Sequence, residues 1–274
     1  MLLMSSTRKQ ILLTNDDGIE SPGLWAAAEA LARLGFVTVA APRDQYSGAG
    51  RSHPLQADGI ITPRSLQIGR QIWTAYAIGG SPAQTVMFAI LDLMPHKPDL
   101  VVSGINYGEN VGSGITVSGT LGAAFEAASF GIPALAVSLE LPSGEYYTHS
   151  REVDFSSAAY FTAYFAERLL NLPPQPDVDV LKVEVPASAT PQTPWQVTRQ
   201  SRQRYFFPIS RRKDGLESPA DVNFIIRVEP GEVEPDSDVY TLRIKKQVAV
   251  TPLSLDMTSR LPLDELEQTL RGRG

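Results

Sequence analysis

Through the first two thirds of the chain, apolar residues cluster in short unbroken runs, each closed by a polar or glycine-rich turn. Gln10–Thr14 is such a run, and it stops at Asn15, Asp16, Asp17 and Gly18, which reads as a buried strand ending in a tight turn. Leu24–Leu34 is alanine-rich with helical spacing. Ser21 and Pro22 before it suit an N-cap followed by the first helical position, and Gly35 is placed to end the helix. Phe36–Ala41 is a second apolar run. A strand, a helix and a strand at this spacing imply parallel pairing with a right-handed crossover.

The pattern recurs. It predicts a strand at Ile72–Ile78, a helix at Pro82–Leu93 and a strand at Asp99–Ser103. A glycine-rich loop, Gly104–Gly119, leads into a helix of small residues at Thr120–Phe130. A strand at Ala134–Ser138, a helix at Phe155–Leu170 and a strand at Val178–Val185 follow. Pro186–Pro194 is loop-like. Beyond it the spacing predicts a strand pair, Val222–Val228 with Val239–Ile244, across the acidic turn Glu229–Asp238, and a short last strand at Val248–Thr251. The expected fold is α/β, a Rossmann-like doubly wound and mostly parallel sheet with a β-rich C-terminal extension. Residues 1–9 form a flexible tail on this reading. Residues 10–258 form one domain whose 186–258 portion is the extension, and residues 259–274 form a tail or helix.

Composition narrows the chemistry. A chain of 274 residues, 43% of them hydrophobic, can bury a large core without staples. The net charge of -6 leaves no electrostatic footprint for nucleic acid or an anionic membrane. The absence of cysteine excludes disulfides, thiolate nucleophiles and cysteine-bound metal centres. The apolar stretch Met1–Met4 is too short for a signal peptide, and no apolar run approaches the roughly 18 residues needed to span a bilayer. The cytoplasm is the expected location.

Ligands of open α/β sheets bind at the carboxyl ends of strands. Three polar clusters fall at predicted strand ends: Asn15 to Gly18, Asp44 to Gly48 with Ser47, and Ser103 to Asn106. Adjacent carboxylates such as Asp16 and Asp17 repel unless a cation neutralises them. With a hydroxyl and a side-chain amide they make an oxygen-only set, which suits Mg²⁺, Mn²⁺ or Ca²⁺ better than zinc. A solvated acidic turn is the competing reading. The glycine-rich loop ends at a helix start where backbone amides and the Ser118 and Thr120 hydroxyls can hold an anion; simple helix capping is the alternative there. Neither a P-loop nor a dinucleotide fingerprint is present. His53, His96 and His149 lack metal or triad spacing, although His53 lies near Ser47, and no G-x-S-x-G elbow occurs. The basic segment Arg199–Lys213, with Tyr205, Phe206 and Phe207, reads as a substrate-side lid or an oligomer contact.

Several of these segments, taken in order, resemble the SurE family. They are Ile11–Gly18 with Ser21-Pro22-Gly23, Val102–Gly112, Ser118–Glu126, Gly131–Ser138, Ser237–Tyr240 and Val250–Leu253. The resemblance runs from about residue 10 to about residue 258. It implies one divalent cation per subunit, Mg²⁺ or Mn²⁺, on Asp16, Asp17, Ser47 and Asn106, with Asp16 and Asp17 as the catalytic carboxylates. It implies phosphate contacts from Asn110, Ser118, Gly119 and Thr120. It also implies hydrolysis of nucleoside 5′-monophosphates, with 3′-nucleotides and polyphosphate as further substrates, and a homodimer or homotetramer that exchanges C-terminal segments. The chain departs from the family pattern at Gln84, usually Asp, and at Val117, usually aromatic. It departs again at Lys182 and Glu184, usually a pair of asparagines. None of these is an expected metal ligand.

Three other readings compete. A haloacid-dehalogenase-type phosphatase needs Asp-x-Asp where this chain has Asp16 and Asp17 adjacent. A receiver domain would be much shorter and has no use for the Gly104–Gly119 loop. A regulatory protein that binds metal or nucleotide without turnover draws its support from the Gln84, Lys182 and Glu184 departures.

Overall fold

The computed structural model describes residues 8–272 except 69, 142–149 and 151. Nine strands form the central sheet: β1 (Gln10–Thr14), β2 (Phe36–Pro42), β3 (Ile61–Ile68), β4 (Gln71–Ile78), β5 (Leu100–Tyr107), β6 (Ala134–Leu139), β7 (Val180–Val185), β8 (Trp195–Val197) and β11 (Val248–Leu253). Their spatial order is β3-β4-β2-β1-β5-β6-β7-β11-β8. The six strands from β4 to β7 are parallel, while β3 and β11 run antiparallel to β4 and β7. Chain order reverses between β2 and β5 on either side of β1. This is the switch point of a doubly wound sheet, where the loops after β1 and β5 part and leave a crevice.

Alternation along β1 feeds both faces. Ile11 and Leu13 join the core beneath α1 (Pro22–Leu31) and α4 (Ser156–Asn171), whereas Leu12 joins the core beneath α2 (Pro82–Phe88) and α3 (Gly119–Ser129). A strand buried on both faces must be apolar throughout, so the unbroken runs read correctly as strands. Gly35 has a different role from the expected one: α1 ends at Leu31, and a Cβ at Gly35 would lie 2.4 Å from the Lys9 carbonyl oxygen. Ser21 occupies the N-cap with Pro22 behind it but makes no side-chain cap bond. The expected Pro82–Leu93 helix is α-helical to Phe88 and widens into a π-turn at Ala89–Leu93. β5 runs on to Tyr107, past the predicted stop at Ser103, and its register against β6 shifts between Ser103 and Asn106.

Of the predicted C-terminal strand pair, Val222–Val228 falls largely on a strand and Val239–Ile244 does not. Val239–Ile244 lies in a helix, α5 (Asp238–Arg243), capped by the Ser237 hydroxyl on the Tyr240 N–H. Val239 and Leu242 bury one stripe of it, with Asp238 in its first turn and Arg243 in its last. The real partner of β10 (Ala220–Ile226) is β9 (Phe206–Arg212), inside the basic segment, in an antiparallel hairpin separate from the main sheet. Tyr205, Val111, Val233, Val239 and Leu242 form a small third core at the base of that hairpin. A last helix, α6 (Leu263–Leu270), has no buried residue. No helix among the described residues is long and apolar enough to cross a membrane.

Candidate active site

The turn after β1 is built by Asn15. Its side-chain amide donates to the Gly18 carbonyl and its oxygen accepts from the Gly18 N–H, with Gly18 at a φ of 96° that favours glycine. This turn presents Asp16 and Asp17 side by side, each 5% exposed. The Asp16 carboxylate accepts from the Thr120 hydroxyl at 2.7 Å. Asp17 accepts from the Tyr107 N–H at 3.2 Å and from the Gln45 amide at 3.3 Å. Burial first, and the neighbouring Asp17 second, push the Asp16 carboxyl up to about 7.

Two loops complete the cleft. The loop after β2 carries Ser47 and is tied down by the Tyr46 N–H on the Asp16 carbonyl at 2.8 Å and the Gly50 N–H on the Val117 carbonyl at 2.9 Å. At the end of β5, the register shift brings Asn106 into the cleft. The Asn106 side-chain nitrogen donates to the Tyr107 and Gly108 carbonyls, which leaves its Oδ1 as the atom for a ligand. Asn110 follows, its amide nitrogen donating to the Ser138 hydroxyl at 3.0 Å and to the Thr120 hydroxyl at 3.4 Å. Ser118 caps α3 by accepting from the Leu121 N–H, so its own proton stays available to a ligand.

The cleft is lined by Asp16, Ser47, Asn106, Asn110 and Ser118, together with Glu109, Val117, Phe206 and Phe224. Of the expected residues, Asp17, Gly119 and Thr120 stand one layer behind. Thr120 is fully buried with its hydroxyl committed to Asp16. A Cβ on Gly119 would come within 2.8 Å of the Asp16 carboxylate, so that glycine lets α3 begin against it. Glu109 and Phe224 have no role in the site on the sequence reading, which takes Phe206 as part of a substrate-side lid or an oligomer contact. Glu109, 2% exposed, accepts from the Tyr205 hydroxyl, and Phe206 and Phe224 pack edge-to-face at 4.8 Å. Nothing local marked Phe224. His53 shares the Glu126 carboxylate with Arg51 outside the lining, His96 is exposed, and His149 lies outside the described residues.

The donor set suits a hard divalent cation. Two buried adjacent carboxylates, one held well above its usual range, are an arrangement a cation relieves, and Ser47 and the Asn106 amide add neutral oxygens. No group of three or more His, Cys, Asp or Glu that could hold a metal occurs among the described residues, so any such site relies on those neutral donors.

The family model described as survival protein SurE matches residues 11–206. The chain belongs to the SurE family. A protein of Thermococcus gammatolerans named 5′-nucleotidase SurE is 41% identical over 267 residues, covering 96% of each chain. One of Methanocaldococcus jannaschii with the same name is 38% identical over 264 residues, covering 94% of this chain and 96% of the relative. Among solved structures, the SurE protein from Aquifex aeolicus superposes with a TM-score of 0.74 at 29% identity, over 96% of this chain and 99% of its own. The SurE family model thus spans the cleft from Asp16 to Phe206 and stops short of Phe224.

Proposed function

We propose that this chain is a 5′-nucleotidase, a metal-dependent phosphomonoesterase that releases phosphate from nucleoside 5′-monophosphates. The observation that carries the reading is Asp16. It is a buried carboxylate at the switch point of the sheet, in one cleft with Ser47, Asn106, Asn110 and Ser118, in a family whose relatives carry the 5′-nucleotidase name. Asp16, Asp17, Ser47 and Asn106 would hold a Mg²⁺ or Mn²⁺ ion, which when bound supplies Lewis-acid polarisation of the phosphoryl group. The Ser118 hydroxyl binds an equatorial oxygen, the Asn110 amide joins it by exchanging its long 3.4 Å bond to Thr120 for phosphate, and the two stabilise the charge that grows there. Thr120 keeps Asp16 in one orientation. Asp16 lines the cleft while both Asp17 oxygens already accept from Gln45 and the Tyr107 N–H, so Asp16 is the carboxylate that orients or deprotonates the attacking water. Such a site accepts 3′-nucleotides and the ends of polyphosphate as secondary phosphoryl donors. The β9–β10 hairpin, separate from the main sheet, is the element for segment exchange in a homodimer or homotetramer.

A panel of nucleoside 5′-monophosphates beside p-nitrophenyl phosphate tests the substrate class. Nucleotides turn over with higher kcat/KM. Tight nucleotide binding with no phosphate release would favour the regulatory reading instead. Phe206 and Phe224 present the aromatic surface that Val117 lacks, at the mouth of the cleft. Stacking of a base is worth roughly 1–3 kcal/mol. Phe206→Ala is therefore expected to raise KM for AMP about 10-fold while leaving p-nitrophenyl phosphate within about 2-fold. Equal losses on both substrates would remove the base from that surface.

A further inference from the structure

Behind the Asn110 loop lies a set of charged side chains that the reaction does not use. Lys182 and Glu184, alternate residues of β7, are both fully buried, and so is Asp238 at the start of α5. Charges buried this deeply cost several kcal/mol each unless paired, and a buried ion pair is weak evidence for stability alone. What these three hold is informative. Glu184 accepts the Asn110 N–H at 2.8 Å, and the Lys182 ammonium donates to the Asn110 carbonyl at 2.8 Å. Lys182 also donates to Asp238 at 2.7 Å. The same Asp238 oxygen accepts the Gly112 N–H at 3.2 Å, and its other oxygen accepts the Ser201 N–H at 2.9 Å. Gly112 and Ser113 are bonded in turn to Gln200 and Gln203.

None of the three side chains lines the cleft. They grip both backbone groups of a residue whose side chain does line it, and that side chain reaches Thr120, which holds Asp16. We propose that Lys182, Glu184 and Asp238 are positioning residues: a buried clamp that fixes the Asn110 backbone for phosphate binding and locks segment 199–205, the base of the β9–β10 hairpin, onto the same loop. The kinetic consequence rests on the phosphatase reading; the clamp itself does not.

The charge state agrees with this geometry. Burial pushes the Glu184 carboxyl up to about 8. Asp238 and Glu109 push the same way, and Lys182 and the Asn110 N–H oppose them. The ion pair is then Lys182 with Asp238, and Glu184 acts near neutrality as an uncharged acceptor, consistent with its longer 4.0 Å separation from Lys182. Glutamine can fill that role. The folded value lies above the ordinary 4.5, so the native state keeps a proton that the unfolded chain releases, and wild-type stability falls as pH rises from about 4.5 through about 8. The Tm of Glu184→Gln should accordingly gain on wild type across that window.

The deciding experiment compares Glu184→Gln, Glu184→Leu and the neutral double variant Lys182→Met/Asp238→Asn. It measures AMP turnover and amide hydrogen exchange over residues 108–114. Glu184→Gln keeps kcat within about 3-fold, because an acceptor for the Asn110 N–H remains. Glu184→Leu and the double variant lose kcat by about 10- to 100-fold with KM changed less than about 3-fold, the signature of misplacing a transition-state contact. Both exchange the 108–114 amides at least about 10-fold faster than Glu184→Gln. Folded Glu184→Leu that matches Glu184→Gln in both readouts overturns the clamp. If Glu184→Leu does not fold, the double variant makes the same comparison. Absence of turnover in the wild type would sink the phosphatase reading, and the exchange comparison would still decide the clamp.

Discussion

Asp16→Asn is expected to abolish phosphate release, with a loss on the order of 10³-fold or more, the scale set by removing one preorganised electrostatic group from a reaction centre. The substitution keeps the shape and still lets the Thr120 hydroxyl donate to an oxygen at this position. What disappears is the negative charge that, on the proposed reading, binds a cation and orients water. The same change should stabilise the fold in EDTA. The Asp16 carboxyl is raised from 3.8 to about 7, so the native state holds a proton that the unfolded chain gives up. Asp16 therefore adds a decline in wild-type stability as pH rises from about 4 through about 7, and the asparagine variant lacks that contribution while keeping the one from Glu184. Thermal melts in EDTA from pH 4 to 9 should show the variant's Tm gaining on wild type across that window and levelling above it. A variant that is inactive and also less stable at pH 8 would mean that Asp16 supports the fold through its charge, against this account.

Gly122→Ala should be nearly as damaging without touching a ligand. A Cβ there would sit 2.1 Å from the Gly50 carbonyl oxygen and 2.8 Å from the Arg51 nitrogen, and both are backbone atoms. α3 and the loop carrying Ser47 cannot keep their spacing. Helix α3 is anchored in the core through Leu121 and Phe125, so the loop yields. Its ties at Tyr46 and Gly50 transmit the shift to Ser47 and Asp16. A displacement of about 1 Å at a reacting centre costs about 100-fold, and overpacking costs about 1–3 kcal/mol of stability. kcat/KM for AMP and a thermal melt measure both; an alanine variant with wild-type turnover would show that the Ser47 loop has no part in catalysis.

The legible parts of the fold were those whose physics is local. β1 and β6 are buried almost throughout and read as apolar runs, and β2, β4 and β7 were legible from mostly apolar runs although β2 and β4 begin exposed and β7 carries Lys182 and Glu184. The clusters at Asp16, Ser47 and Asn106 were found because a parallel sheet brings strand ends together wherever they lie in the chain. β3 was missed because an edge strand interrupted by Pro63, Arg64 and Ser65 carries no apolar signal. α5 was read as a strand because Val239, Tyr240 and Thr241 favour strands, although Ser237 and Asp238 spelled a helix start. Phe224 and the buried Lys182 could not be placed in advance. A lysine in a strand reads as a solvated face until its partner Asp238, 56 residues further on, is known.

The most direct test is phosphate release from AMP by wild-type protein stripped with a chelator, then restored with Mg²⁺ or Mn²⁺, beside Asp16→Asn treated identically. The account predicts no release after stripping, recovery on addition of either ion, and no recovery in the variant. Release that persists without metal, or recovery in Asp16→Asn, would contradict a cation held by Asp16 as the centre of this site.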